Sequence, residues 1–454
     1  MADKIYSYTN SLFCDIVINE SINIDLRRPH PVEWGIHMKT TGIIAEYNPF
    51  HNGHAYLIRK AKEITGADYC VIVMSGDFVQ RGAPAIADKY IRAEAALKNG
   101  ADLVLELPVY YALGSAEYFA SGAVALLDRL GVVDTLCFGS ECGDITVLSE
   151  FARNLLDESS TFKRVLDRQL RLGLSYPNAR NAALEASAPH LNAHMYVLTS
   201  PNNILGIEYC KALYRRNSSI QPCTVRRTGT SYHDASLNNA FCSALAIREA
   251  MKGREFPDDI INLMPQSAYE LLKEHYGHTC PITADDASLA LHYQLLSQQA
   301  SGYTMHPDID QALSDRIMNK LPSYHNFSDF CEQLKTKNRT YTRIARSLMH
   351  ILLQIDKTAF DVYQSEDYIY YAHMLGFRKD AEPLLSAIKK QSSIPLLSRL
   401  SNADELLSDN GRAMLAKDIY ADHVYHSLVR HKFPAGSDSQ EQSYSEYQRK
   451  MLCV

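Results

Sequence analysis

TGIIAEYNPFHNGHAYL, residues 41–57, is the stretch that decides the fold of this chain. Its apolar start at 42–45 predicts a buried strand, and the NP pair at 48–49 predicts a turn. The letters HNGH at 51–54 then open a helix. This order points backbone N–H groups and the positive end of the helix at whatever lies over the turn, which suits a phosphate. The two histidines share one helix face, and Gly53 is expected to leave room for a ligand against the backbone.

Length and composition limit the class of protein. The chain has 454 residues, 46% of them hydrophobic and 22% charged, which predicts a globular protein of two or three domains. Its net charge of −6 means that nucleic acid could bind only at a local basic patch. The ten cysteines are scattered, which favours reduced thiols. No apolar run reaches membrane-spanning length, so we expect a soluble cytoplasmic protein without membrane contact.

Residues 41–141 alternate between apolar strands and helices. Strands are predicted at 42–46, 69–74, 102–107 and 135–138. Continuous apolar strands separated by helices are typical of an α/β fold with a doubly wound, Rossmann-type parallel sheet. In such sheets ligands bind at the carboxyl ends of the strands. That edge is predicted to hold the turn at 51–54 and the segments 75–77 and 139–141.

The pattern divides the chain into four segments. Residues 1–37 fit poorly with the rest of the chain and are expected to be a disordered extension, so that Met38 is the functional start; an added edge strand at 14–18 is the alternative. Residues 38–235 form the predicted α/β nucleotide-binding domain. Residues 236–433 are predicted to be a helical domain, with helices to the end of the chain. Residues 434–454 are predicted to be a loose polar tail.

Two common nucleotide signatures are missing from the sequence. It contains no G-x-x-x-x-G-K-[ST], and no G-x-G-x-x-G follows the first strand. Phosphate is therefore expected to be handled by His51 and His54, as protonated or hydrogen-bonding imidazoles, with Arg226 and Arg227 as a clamp. Adjacent strand residues point opposite ways, so one arginine should face the site. No metal site is predicted, because the cluster HYGHTC at 275–280 lacks a fourth ligand.

Several stretches together resemble a known family. GIIAEYNPFHNGH at 42–54 resembles the HxGH-type nucleotidylyltransferase superfamily, and the full set resembles the tRNA(Met) cytidine acetate ligases. The other stretches are MSGDFVQRGAP at 74–84, ADLVLELP at 101–108, FGSE at 138–141, SPNNILGIEY at 200–209 and RRTGTSYHD at 226–234. The resemblance spans roughly residues 38–430 and is far more specific than H-x-G-H alone.

The resemblance implies an ATP-dependent, tRNA-modifying ligase. ATP and acetate would give acetyl-adenylate, and the acetyl group would pass to N4 of the wobble cytidine of elongator tRNA(Met), giving N4-acetylcytidine. Mg²⁺ is expected to accompany ATP. His51 and His54 would be catalytic. ATP would bind at Ile44, Ala45, Glu46, Tyr47, Asn48, Pro49, Phe50, His51, Asn52, Gly53, His54, Ala55, Tyr56, Leu57, Gly139, Asn203, Arg226 and Arg227. Many HxGH enzymes carry a second signature such as K-M-S-K-S; it is missing here, so the arginine pair would have to fill that role.

One segment could supply the basic surface that RNA requires. The segment 335–346 contains cations around a tyrosine, and its arginines at positions i, i+4 and i+7 would share one face of a helix. Arginines can hold phosphates while a tyrosine stacks on an unpaired base. The predicted tRNA-binding residues are Lys335, Lys337, Arg339, Tyr341, Arg343 and Arg346. The alternative is a solvated helix face.

Two other functions stay open at this level. One is adenylyl transfer to a small phosphorylated metabolite, and the other is a non-enzymatic RNA-binding protein on a nucleotide-binding fold. The intact His51 and His54 argue against a non-enzymatic RNA-binding protein. The long C-terminal half with its basic segment argues against a small-molecule adenylyltransferase. The sequence also leaves open the base that deprotonates the attacking amine, for which Glu46 and Asp77 are candidates, and the oligomeric state.

Overall fold

The computed structural model describes residues 38–227, 243–253, 255–434 and 445–454. The extension predicted at 1–37, with its candidate strand at 14–18, lies outside these ranges. The strands are β1 (Thr40–Ala45), β2 (Tyr69–Ser75), β3 (Phe78–Val79), β4 (Ala83–Pro84), β5 (Leu103–Leu107), β6 (Thr135–Ser140), β7 (Gln221–Arg226), β8 (Ala372–Phe377), β9 (Leu396–Leu397) and β10 (Leu452–Cys453).

Helices fill most of the remaining chain. They are α1 (Asn52–Thr65), α2 (Lys89–Lys98), α3 (Val109–Ala112), α4 (Ala116–Arg129), α5 (Ile145–Asp157), α6 (Ser160–Arg171), α7 (Tyr176–Ser187), α8 (Pro201–Arg215), α9 (Ala244–Ala250), α10 (Gln266–His275), α11 (Ser288–Gln298), α12 (Gln311–Lys320), α13 (Phe327–Leu334), α14 (Tyr341–Leu352), α15 (Lys357–Ser365), α16 (Glu382–Gln391), α17 (Ala403–Leu406) and α18 (Asp409–Lys432). None of these helices is long and apolar enough to cross a membrane.

The strands build one large sheet in the order β10-β8-β5-β2-β1-β6-β7, with β9 beside β8. All neighbours from β5 to β7 are parallel. Buried side chains pack on both faces of this sheet, in one cluster that contains Val71 and Val73 and a second that contains Cys70 and Ile72. Successive residues of β2 therefore enter opposite cores, which explains its unbroken apolar run. The doubly wound α/β fold predicted from the sequence is confirmed.

The expectation of helices to the end of the chain is wrong. β8 joins the sheet antiparallel to β5, with Leu103 opposite Phe377. Its sequence AHMLGF is buried over its first five residues, so it has no polar alternation to mark it as a strand. Alanine, methionine and leucine also favour helices. A short apolar run of this kind can form a helix or a strand, and the choice depends on whether the edge of another strand is available to pair with it.

The described end of the chain is not a loose tail either. β10 pairs with β8, and Glu446 is buried against Lys89, with 2.9 Å between its carboxylate and Nζ. Lys89 Nζ also lies 3.1 Å from Glu106 of β5 and 3.4 Å from Asp422 of α18. This buried network ties four separate segments together at the carboxyl end of the sheet. Within the described residues 445–454, the polar side chain of Glu446 is therefore part of a buried network.

Residues from both sides of the predicted boundary at 235 and 236 share the core. The same cluster contains Val71 and Leu105 of the sheet and Leu348 and Tyr425 of the C-terminal half. The division into domains 38–235 and 236–433 stays a prediction, since a common core neither requires nor forbids it.

Candidate active site

The turn after β1 places two histidines at the start of α1. His51 is the N-cap residue, and its Nδ1 accepts a hydrogen bond from the Gly53 backbone N–H at 3.0 Å. The His54 Nδ1 accepts one from the His51 backbone N–H at 3.2 Å. The pair thus forms a capping box in which imidazoles take the usual places of serine and glutamate. Because each Nδ1 accepts a hydrogen bond, each neutral ring carries its own proton on Nε2.

The two rings are stacked, with His51 buried and His54 half-buried. Their centroids are 3.7 Å apart at an interplanar angle of 20°, and Tyr47 meets the His54 ring edge-on at 4.8 Å. Burial lowers the pKa of His51 to about 3, with the nearby Arg227 and Arg248 cations acting in the same direction. The pKa of His54 is lowered well below its usual value by burial, then by His51 and Arg227. The structure therefore favours neutral hydrogen-bond donors over imidazolium ions.

The neutral state of His51 and His54 predicts how their NMR signals and the stability of the protein depend on pH. In ¹⁵N NMR spectra of histidine-labelled protein, the signals of His51 and His54 should show Nε2–H imidazoles without a titration between pH 5.5 and 8. The unfolded chain takes up protons near pH 6.5 and the folded rings do not, so stability should fall as the pH falls below 6.5, by about 1.4 kcal/mol per pH unit for each histidine. Assignment comes from spectra of single His→Gln variants. A midpoint near 6.5 for either signal would contradict this prediction.

An open cleft lies over this turn at the carboxyl ends of the strands. The volume of the cleft, including the open space at its mouth, is about 1100 Å³. The apolar side chains in its wall are Phe119, Phe138 and Leu205. Its positive charge comes from Arg81, Arg227 and Arg248. The predicted ATP-binding residues that line it are Ile44, Ala45, Glu46, Tyr47, Asn48, His51, His54, Leu57, Gly139 and Arg227.

The other predicted ATP-binding residues do not line the cleft among the described residues. They are Pro49, Phe50, Asn52, Gly53, Ala55, Tyr56, Asn203 and Arg226. The space beside Gly53 is filled, since an added Cβ would lie 2.8 Å from Cε1 of His51. Gly53 thus makes room for the histidine ring, and its contact with a ligand stays a prediction. The Asn203 side chain is buried, and its Oδ1 accepts a hydrogen bond from the Cys142 backbone N–H at 3.0 Å. It holds the loop after β6.

The paired arginines separate as strand geometry requires. Arg227 lines the cleft beside Gly139, where an added Cβ would lie 3.3 Å from its Cγ. Arg226 packs instead against Gly143, where an added Cβ would lie 2.5 Å from the Arg226 Cβ. Arg227 is exposed, and its guanidinium is a cation at neutral pH. Of the two, Arg227 is the one placed to meet phosphate.

This difference supplies a matched pair of variants. Arg227→Ala should raise the KM for ATP by about 10- to 100-fold, because truncating a charge-assisted hydrogen bond costs about 1.5–3 kcal/mol. Arg226→Ala should change that KM less than about twofold. The measurement is the ATP dependence of acetate-dependent ATP–pyrophosphate exchange. Equal effects of the two substitutions would mean that the cleft is not where the nucleotide binds.

Sequence reasoning missed several residues of the cleft. Arg248 of α9 lines it, and its Nη1 donates to the Asn48 carbonyl at 2.6 Å. Arg81, Asn202 and Tyr209 also line it. All three lie within the stretches that carried the family resemblance, so those stretches were the available signal. Nothing in the local sequence marks Arg248, which reaches the turn from 200 positions away.

The geometry also separates the two candidate bases. Glu46 is the one carboxylate among the described residues that line the cleft, and its Oε1 accepts from the Gln80 backbone N–H at 3.0 Å. Asp77 is buried in the Lys89 network, where its Oδ1 accepts from the Lys89 backbone N–H at 2.8 Å. Burial, followed by the charges of Asp88 and Asp422, raises the pKa of Asp77 well above its usual value. Glu46 is therefore the carboxylate that can reach a ligand.

A short hairpin connects the cleft to the predicted RNA-binding segment. β3 and β4 pair antiparallel, and their tip brings Gln80 and Arg81 to the cleft. Gly82 at the same tip has a φ of +76° and packs directly on α14, since an added Cβ would lie 2.3 Å from the Arg346 backbone nitrogen. Any side chain here would push the hairpin off the helix.

The basic segment itself differs from the expectation of one arginine-lined helix face. α14 begins at Tyr341, so Arg339 precedes the helix. Arg339 Nη2 lies 2.8 Å from both carboxylate oxygens of Asp310, and Arg346 Nε lies 3.1 Å from Asp308. Lys335 and Lys337 are exposed, and Lys335 lies 3.2 Å from Glu332. Tyr341 packs against the core, which leaves its base-stacking role a prediction.

Comparisons with known proteins find relatives over most of the chain. The model of the HIGH Nucleotidyl Transferase family matches residues 38–441. A tRNA(Met) cytidine acetate ligase of Acetivibrio thermocellus is 38% identical over 405 residues, which covers 88% of this chain and 96% of that protein. One of Clostridium tetani is 40% identical over 367 residues, covering 80% and 91%. The crystal structure of Thermotoga maritima TmcAL bound with alpha-thio ATP is 30% identical, with a TM-score of 0.83 over 92% of this chain and 100% of that one.

Proposed function

The chain belongs to the HIGH nucleotidyl transferase family, and on that premise we propose that it is an ATP-dependent ligase that acetylates the wobble cytidine of elongator tRNA(Met). The observation that carries the proposal is the convergence of the neutral His51–His54 pair and Arg227 on one cleft at the carboxyl edge of the sheet. Relatives that share 38–40% identity over most of the chain carry this activity in their names.

The first step would be the activation of acetate. An acetate oxygen attacks the α-phosphorus of ATP, the bond to the β-phosphate bridging oxygen breaks, and pyrophosphate leaves. Negative charge then grows on the phosphoryl oxygens. The Nε2–H groups of the neutral His51 and His54 can donate hydrogen bonds to those oxygens. Arg227 and Arg248 supply positive charge beside them. Donors that are already in place need little reorganisation as the charge develops.

Mg²⁺ fits this cleft as an ion that arrives with ATP. It is usually held by one or two carboxylates, phosphate oxygens and water. Glu46 would be the protein carboxylate that contacts it in the described lining. When bound, the ion supplies charge neutralisation at the phosphates.

The second step would transfer the acetyl group. The cytidine N4 attacks the acetyl carbonyl, the bond to the AMP oxygen breaks, and the N4 proton is lost. Glu46 is placed in the cleft where it could accept that proton. The catalysis needs positioning and charge stabilisation but no covalent enzyme intermediate.

The RNA would reach the cleft along the hairpin tip and α14. The residues that would bind the tRNA are Lys335, Lys337, Arg339, Tyr341, Arg343 and Arg346. Among them Lys337 and Arg343 are the most available, because Lys335, Arg339 and Arg346 already pair with carboxylates, those of Glu332, Asp310 and Asp308.

Labelled acetate separates this function from its alternatives. The protein is incubated with ATP, [¹⁴C]acetate and bulk tRNA, and the label is sought on cytidine after nuclease digestion. Label that depends on ATP supports the proposal. Pyrophosphate release that requires a phosphorylated metabolite, without labelled RNA, would indicate a small-molecule adenylyltransferase. RNA binding without either product would indicate a non-enzymatic protein.

A further inference from the structure

The connection between α6 and α7, at residues 172–175, exposes apolar and basic side chains together with the helix turns on either side of it. Leu172 is 66% exposed and Tyr176 is 55% exposed. The last turn of α6, directly before the loop, carries the exposed arginines Arg168 and Arg171. Large apolar side chains that stand beside cations on a surface are typical of sites that bind single-stranded nucleic acid.

This loop and the predicted RNA-binding segment face each other across one groove. Leu174, Ser175, Tyr176 and Pro177 form one part of its lining, and the remainder is Asp310, Thr336, Asn338, Arg339 and Arg343. The two parts are well separated in the sequence, so their meeting is a product of the fold.

Arg343 in this groove has unused hydrogen-bonding capacity. Its Nε is buried and has no hydrogen-bond partner among the described residues. Its Nη2 donates to the Asp308 carbonyl oxygen over a long distance of 3.5 Å. A buried donor without an acceptor costs about 1–3 kcal/mol. A phosphate oxygen in the groove would supply the acceptor, and a guanidinium can bind it with two parallel hydrogen bonds.

The groove is also connected to the cleft. Arg343 lies on α14 one turn before Arg346, whose backbone contacts Gly82 at the hairpin tip, and Arg81 of that tip lines the cleft. A strand of RNA with one base in the cleft could therefore continue over α14 to the α6–α7 loop.

We propose that the α6–α7 loop, with Arg168, Arg171 and Tyr176, forms the outer half of an RNA-binding groove whose inner half is Arg343 and its neighbours. The arginines hold backbone phosphates, and the Tyr176 ring stacks on an unpaired base. Charge complementarity selects this occupant: the chain as a whole carries −6, whereas Tyr176 shares the groove lining with Arg339 and Arg343, and the helix turn that leads into its loop carries Arg168 and Arg171. The inference rests on the proposed function for the identity of the RNA.

The test uses the full chain and elongator tRNA(Met). The double variant Arg168→Ala/Arg171→Ala should raise the Kd for tRNA at least about tenfold and reduce the slope of log Kd against log salt by about 2. Tyr176→Ala should raise the Kd about tenfold, the loss of one stacked base. Acetate-dependent ATP–pyrophosphate exchange without RNA should stay at the wild-type rate for all of them.

Two variants serve as matched controls. Lys389→Ala/Lys390→Ala removes two exposed cations from the last turn of α16, and Tyr293→Ala removes a 70% exposed tyrosine from α11. Both should leave the Kd within about twofold. The proposal is overturned if the loop variants bind tRNA as the wild type does, or if the controls weaken binding equally. Failure of the proposed function would look different: wild-type protein would give no acetate-dependent exchange, while the effect of the loop variants on tRNA binding could still be measured.

Discussion

Replacing His54 should slow acetate-dependent ATP–pyrophosphate exchange by about 10²- to 10³-fold, the usual effect of losing one donor that stabilises transition-state charge. The physical reason is the fixed Nε2–H group: the His54 Nδ1 is occupied by the His51 backbone N–H, so the opposite nitrogen must carry the proton. Exchange is measured with labelled pyrophosphate, without RNA, so that only the first step is observed.

Two substitutions make this test specific. His54→Ala removes both the donor and the helix cap, whereas His54→Gln can keep the cap, because glutamine is a normal residue at the third position of a capping box. Both should lose exchange, and His54→Gln should keep a Tm near that of the wild type. If His54→Gln exchanges within about threefold of wild type, position 54 serves the turn and not the chemistry.

The largest effect on stability is expected at Lys89. Lys89→Met should lower the free energy of unfolding by about 3–5 kcal/mol, because it leaves Glu106, Asp422 and Glu446 buried without the cation that they surround. Methionine fills a similar volume, so packing changes little. Urea unfolding followed by circular dichroism measures the loss, and the m-value shows whether unfolding stays two-state.

Lys60→Met is the matched control. Lys60 pairs with Glu63 at 2.8 Å on the surface of α1, and both side chains reach solvent. Its loss should cost less than about 1 kcal/mol. If Lys89→Met costs as little as this control, the carboxylates must neutralise each other by sharing protons, and Lys89 does not hold the C-terminal segment to the sheet.

The parallel sheet and its nucleotide-binding turn were predictable because their signals are local. Apolar runs such as YCVIVMS at 69–75 are long enough to mark a buried strand, and HNGH at 51–54 directly follows the turn signal NP at 48–49 and opens a helix. β8 was missed for the opposite reason. AHMLGF has no alternation and contains helix-favouring residues, so only the open edge of β5 makes it a strand.

The site was predictable in part. Gly139 and eight of the fourteen residues at 44–57 line the cleft, since strand ends of a parallel sheet share one edge. Asn203 lies outside the cleft lining, because a buried asparagine that binds a backbone N–H looks the same in sequence as one that binds a ligand. The stripe of three arginines at 339–346 is interrupted because α14 starts two residues later than a continuous helix would.

The sequence alone determined the order of the four core strands β1, β2, β5 and β6 and the pair of histidines at the first turn, since both depend on interactions within a few residues. Tertiary structure decided the rest. It made the histidines neutral by burying them, selected Arg227 over Arg226, brought Arg248 to the turn, and enclosed Lys89 among three carboxylates from distant segments. Burial and the distance between remote charges exist only once the chain has packed.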